Sequence, residues 1–91
     1  MRYPKQLGRI GRTKRGNIML TNPQGESFNV HETVAYIWDK ATGNQTIKEI
    51  SDSLMEALKI SEADQEAERE NVILALRDLE RKSLMEYRQG K

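Results

Sequence analysis

The chain has 91 residues, enough for one domain, and a domain of this size buries only about 60–65% of the surface its unfolded chain exposes, so the core must be compact. With 36% of residues hydrophobic, 32% charged and no Cys, the sequence offers no apolar run fit to enter a membrane, no disulfide and no thiolate metal site. The net charge of +1 conceals a segregation: Arg2, Lys5, Arg9, Arg12, Lys14 and Arg15 fall in the first sixteen residues with no acid among them, while the rest holds nine basic and fourteen acidic side chains.

The basic start lacks the apolar stretch of a secretory signal, so a cytoplasmic location is expected. Residues 1–6 read as a flexible basic arm, either solvated or in contact with nucleic acid or an acidic peptide. Gln6 to Arg12 is a weak strand interrupted by two Gly residues. The next stretch is clearer. Ile18 and Leu20 alternate with polar or flexible neighbours, as do Phe28 and Val30, the period of half-buried strands. Between them Asn22-Pro23-Gln24-Gly25 matches a type I turn, because proline fixes the backbone angle needed at the second position. A β-hairpin over residues 17–30 follows, with Ser27 and Asn29 facing away from the core.

Val34, Ile37, Trp38 and Ala41 then mark one face of a helix that starts at Asn29 or His31 and ends near Gly43. Thr46 with Glu49 forms a capping-box signal, since the threonine oxygen can accept the Glu49 amide while the glutamate reaches back. That opens a second helix with Ile47, Ile50, Leu54 and Leu58 inward. Ser61 with Asp64 repeats the cap logic for a third helix reaching about Lys82, with Val72, Ile73, Leu76 and Leu79 inward. Its first turns have little apolar surface to bury. Leu84 to Tyr87 reads as a short extended segment, within 83–88, that packs back on the domain. The expected fold class is α+β: residues 7–30 form strands and 31–82 form three helices, all in one domain spanning 1–91.

His31-Glu32-Thr33-Val34-Ala35 begins like H-E-x-x-H but lacks the second histidine that would complete a zinc site. Nucleophilic catalysis is disfavoured by the same inventory, because a single imidazole is the only base of its kind available to activate Ser or Thr. No phosphate-cradling Gly pattern occurs. The sequence therefore reads as a non-enzyme that carries no cofactor and no metal. Hairpin plus three helices is also the outline of a DNA-binding winged helix, and charge argues against that reading. Between Ser61 and Asn71 helix three presents Glu62, Asp64, Glu66, Glu68 and Glu70 against Arg69 alone; helix two carries Glu49, Asp52 and Glu56 against Lys48 and Lys59. Nucleic-acid binding through the basic arm stands as the alternative.

The order of elements, together with Glu32-Thr33, Ile37-Trp38, Gly43, Thr46-Ile47 and Glu49-Ile50, resembles the PqqD family, peptide recognition elements of pathways that modify ribosomally made peptides. The likeness spans about residues 7 to 87 and is most specific over 28–50; His31 and Thr42 stand where that family usually has Asn and Asp. The resemblance implies a winged-helix-like domain, a three-stranded antiparallel sheet followed by three helices, that is noncatalytic. It implies capture of a precursor's leader peptide and its presentation to a modifying enzyme, in this family often a radical S-adenosylmethionine enzyme. The leader would add as a strand along Glu26 to Val30, contacting Glu26, Ser27, Phe28 and Asn29. Leu74, Arg77, Asp78 and Arg81 of helix three would face it; Arg77 and Arg81, one turn apart, would either meet acidic leader side chains or stay solvated and pair with Asp78 and Glu80.

Overall fold

In the computed structural model, which describes residues 2–89, the hairpin forms as its alternation and turn chemistry dictate. Strands β3 (Ile18–Thr21) and β4 (Ser27–Val30) pair antiparallel with Leu20 opposite Phe28, and Gly25 N donates to Asn22 O at 2.9 Å to close the turn. Strand β2 (Arg9–Arg12) pairs on the other side of β3, so the sheet order is β2-β3-β4. Ile18 and Leu20 are buried, and Phe28 and Val30 on the same face are half-buried.

The expectation of a flexible arm at residues 1–6 is corrected for every residue but Met1, which lies outside the described residues. Arg2–Gln6 is strand β1, and it forms a second, two-stranded antiparallel sheet with β5 (Met85–Gln89), Gln6 opposite Met85 and Arg2 opposite Gln89. The segment is pinned on its other side as well. Gln6 N donates to Ala41 O at 2.6 Å, Gly43 N donates to Pro4 O at 2.9 Å, and the Gln6 side chain donates to Trp38 O and Asp39 O. Pro4 is buried yet costs the ladder nothing, because its position turns away from β5, where no amide is required. The Arg2 guanidinium lies over the Tyr87 ring, 3.8 Å from its centroid.

Helix α1 (Glu32–Lys40) is capped by His31, whose Nδ1 accepts from Thr33 N at 3.2 Å. It stops at Lys40, short of Gly43, which adopts φ +89°, a conformation glycine reaches without a Cβ penalty. Helix α2 (Ile47–Leu58) opens with both capping-box bonds: Glu49 N to Thr46 Oγ1 at 3.1 Å and Thr46 N to Glu49 Oε1 at 2.9 Å. It ends in a left-handed Lys59, with Ile60 N donating to Met55 O.

The start of the third helix differs from expectation. Ser61 makes no side-chain cap to the backbone; its hydroxyl donates to the Asp64 carboxylate, and a short 3-10 turn, Glu62–Asp64, precedes helix α3 (Gln65–Arg81). Neither the Ser61 hydroxyl nor the Asp64 carboxylate accepts from a helix amide, and no apolar side chain in this stretch is buried to anchor the first turn.

The core gathers Leu20, Ile37, Trp38, Ala41, Ile50, Leu54, Val72, Leu76, Leu79, Leu84 and Met85 between the sheet, the three helices and β5. Trp38 closes it, its indole N–H donating to Leu84 O at 3.0 Å and Leu7 O at 3.3 Å. Two expected core residues are not in it: Ile73 is 41% exposed and Leu58 is 49% exposed. Ile73 sits one residue, about 100° of helical rotation, past Val72, and the inward stripe of α3 is set by Val72, Leu76 and Leu79. The result is an α+β architecture with three helices and two small antiparallel sheets, one more sheet than the sequence reading allowed.

Candidate functional site

Strand β4 pairs with β3 on one side, and among the described residues no strand pairs with it on the other. Which of its backbone groups face the open edge follows from the hairpin register. Asn22 N donates to Glu26 O at 2.8 Å, so Asn22 and Glu26 are a bonded pair. In an antiparallel ladder bonded pairs recur every second residue, which turns Phe28 and Val30 toward β3. The N–H and C=O groups of Ser27 and Asn29 consequently point outward. The open edge presents two donors and two acceptors, enough to hold one short extended peptide segment.

The sequence-expected strand residues divide by role. Glu26 is occupied by the turn: its amide donates to Asn22 Oδ1 at 2.9 Å and its carboxylate accepts from Asn22 Nδ2 at 3.1 Å. Ser27 and Asn29 supply the open edge, and on the outer face Ser27 Oγ and Thr21 Oγ1 share a 2.8 Å hydrogen bond. Phe28 packs its ring partly against the core.

On the helix side, Asp78 approaches β4 through an intermediate. The Lys82 ammonium, 2.8 Å from Asp78 Oδ2, sits 5.2 Å from the Phe28 ring centroid, an electrostatic contact between cation and ring face. Arg81 pairs with Asp78 from the other side. The hydrogen bond from Lys82, outweighing the opposing effect of burial and aided by Arg81, holds the Asp78 carboxyl below its usual range. Leu74 and Arg77 lie elsewhere: with Glu70 and Ile73 they line a shallow hollow of about 260 Å³ on α3, none of whose walls belongs to β4. Of the four expected helix residues, the structure thus joins only Asp78 to the β4 flank, through Lys82; Arg81, paired with Asp78 but itself exposed, lies with Leu74 and Arg77 on the outer face of α3.

Two residues absent from the sequence reading of the site organise it. Lys82 links α3 to Phe28. Asn22, 1% exposed, accepts from Gln24 N and Glu26 N and donates from Nδ2 to Lys82 O at 2.9 Å, tying the hairpin turn to the end of α3. The signal for Asn22 was visible as a turn residue, but its bond across sixty positions carries no local mark.

A second, larger hollow of about 570 Å³ lies at the opposite flank of the sheet, beneath Ile10, Arg12 and Ile18 and bounded by α1 and α2. Among the described residues no helix is long and apolar enough to cross a membrane. No protein-family model, curated protein or solved structure matches the chain.

Proposed function

We propose that this chain is a noncatalytic peptide-binding chaperone: it captures the leader segment of a precursor peptide by strand addition along β4 and presents it to a separate modifying enzyme. The single observation that carries the reading is the uncharged edge of β4, unpaired among the described residues, with the Ser27 and Asn29 backbone groups directed outward. The resemblance of residues 28–50 to the PqqD family supports it, and with it a winged-helix-like arrangement in which β2 and β3 form the wing. Phe28, Lys82 and Asp78 border the added strand and select among peptide side chains. An isolated leader binds with a dissociation constant on the order of micromolar, because the contact is small and ordering the peptide costs free energy.

A second reading rests on a different observation. Arg9, Arg12, Lys14 and Arg15, on β2 and its following turn, form no ion pair among the described residues, which suits a wing that contacts phosphates. Titration of isotopically labelled protein with the leader of a precursor encoded beside its gene, and separately with duplex DNA, distinguishes the two. Backbone amide shifts concentrated at residues 26–30 and 78–82 on adding leader are expected. Absence of leader binding, alongside DNA affinity that falls steeply with salt and shifts at residues 9–15, would replace the first reading with the second.

A further inference from the structure

Helix α3 exposes a face that matches itself when turned end for end. Ile73 and Leu74, 41% and 55% exposed, stand at its middle on the side away from the core. On the same face Glu66 and Glu70 precede them and Arg77 and Arg81 follow. The spacing is symmetric: about the midpoint between Ile73 and Leu74, Glu70 lies as far before as Arg77 lies after, and Glu66 as far before as Arg81.

We infer that this face binds a second copy of the chain, α3 packed antiparallel on α3 about a twofold axis through the Ile73–Leu74 midpoint. An isologous contact requires that residue i meet residue j and that j meet i, and this pattern satisfies the condition at each charged position. Each Glu70 meets the partner's Arg77, each Glu66 meets the partner's Arg81, and the two apolar pairs cover one another. Antiparallel helices also set opposite dipole ends side by side. The dipole accounts for acids early and bases late in a lone helix, but not for two large aliphatic side chains left in water between them. Glu66, Glu70 and Arg77 have no ion-pair partner within the chain among the described residues. Arg81 does pair with Asp78, yet it can turn outward because Lys82 holds Asp78 independently at 2.8 Å.

One helix face per subunit is a small interface, at or below about 1,200 Å² in total, in the size range of weak and transient contacts, so the test extends to high protein concentration. The dimer's register is specified by charge more than its strength is. The contact leaves the Ser27 and Asn29 edge free, and the inference stands whether or not β4 binds a peptide.

Sedimentation equilibrium of the full chain without added peptide, over roughly 10 μM to 1 mM, tests it by mass action. The wild type is expected to pass from monomer to dimer. Glu70→Arg sets like charges together at both ends of the axis and is expected to give monomer throughout, as is Arg77→Glu; both positions are exposed, and unchanged helical circular dichroism checks the fold. The decisive arm mixes the two variants in equal amounts. Because one then carries only Arg and the other only Glu at positions 70 and 77, the antiparallel register predicts that the mixture regains dimer. A wild type that stays monomeric to about 1 mM overturns the proposal. So does a single variant that dimerises as well as the wild type, or a mixture that remains monomeric.

Discussion

Strands β2 and β4 flank the same central strand, yet every residue of β2 is exposed while β4 half-buries Phe28 and Val30. Arg9 and Arg12 stand along β2, with Lys14 and Arg15 in the turn beyond, whereas the outward positions of β4 are Ser27 and Asn29. Charged side chains on an edge discourage a further strand from joining, because its approach must displace their hydration. Strand β4 has neither Lys nor Pro over its length and so keeps its edge open. The contrast teaches that the two ends of one small sheet serve different ends: one is guarded by like charges, and the other is left able to pair.

The attachments of the two edges also differ, and breaking each gives the largest effects. At the head of β2, Gly8 adopts φ +84° and passes so close to β3 that a Cβ would lie 1.9 Å from Thr21 O. Neither atom can move without displacing a backbone. Gly8→Ala is therefore expected to cost about 3 kcal/mol or more, read as a lowered urea midpoint. Asn22 is the corresponding tie for β4. Its removal in Asn22→Ala leaves the Glu26 amide and the Lys82 carbonyl without their partner, and a loss of about 2 kcal/mol is expected. If the Ala variants were equally mild, the close approach at Gly8 would not be the constraint that the geometry implies.

A smaller effect, on binding rather than stability, sharpens the comparison of the edges themselves. The register that turns Ser27 outward on β4 also turns Ile10 outward on β2, because Arg9 and Gly11 are the residues bonded to β3. Proline at either position removes an amide that takes no part in the ladder, and at Ser27 it also removes the exposed hydroxyl bond to Thr21. Ser27→Pro is expected to weaken leader binding at least about tenfold, while Ile10→Pro changes it less than about twofold, as read by fluorescence anisotropy. Equal losses in the two variants, or none in either, would separate peptide binding from the β4 edge.

How far these edges could be foreseen depends on the range of the interactions involved. The hairpin and the Thr46–Glu49 box were legible because each is specified within a few residues: alternation, a Pro-fixed turn and a reciprocal cap. Strand β1 was not, since its partner strand lies at the far end of the chain, Gln6 opposite Met85 and Arg2 opposite Gln89, and Pro4 carries a breaker's signature. Its basic side chains suggested a solvated arm, whereas Arg2 stacks on Tyr87. Ile73 was misplaced because adjacent apolar residues, Val72 and Ile73, leave the direction of a helical stripe ambiguous by a full residue step until packing chooses. Of the candidate site, the hairpin and the outward placement of Ser27 and Asn29 were readable from alternation, whereas the choice of that strand as the peptide edge came from the family resemblance. The helix half was not readable, because which side of α3 approaches β4 is decided by Lys82 reaching Phe28 and by the Asn22 tie, both long-range contacts.

The smallest effect concerns the charge network that borders β4 and has no counterpart beside β2 among the described residues. Asp78 is held ionised below the usual carboxylate range, chiefly by the hydrogen bond from Lys82 and then by Arg81. Because its folded value is depressed, its contribution is present above the ordinary aspartate value of about 3.9 and is lost as pH falls through the lower folded value. With 37% of the side chain exposed, solvent screening leaves this at about 0.5 kcal/mol or less. Asp78→Asn should lower stability by that amount at neutral pH, and the difference from the wild type should vanish in acid. Nuclear magnetic resonance titration of the Phe28 ring gives the more sensitive reading, because protonating Asp78 frees Lys82 from the carboxylate that positions it over that ring. The ring signals are expected to shift with the Asp78 titration in the wild type and to stay flat over the same acid range in Asp78→Asn. Ring signals that titrate unchanged in the variant would detach Lys82 from Asp78, and with it the proposed electrostatic border of the peptide-binding edge.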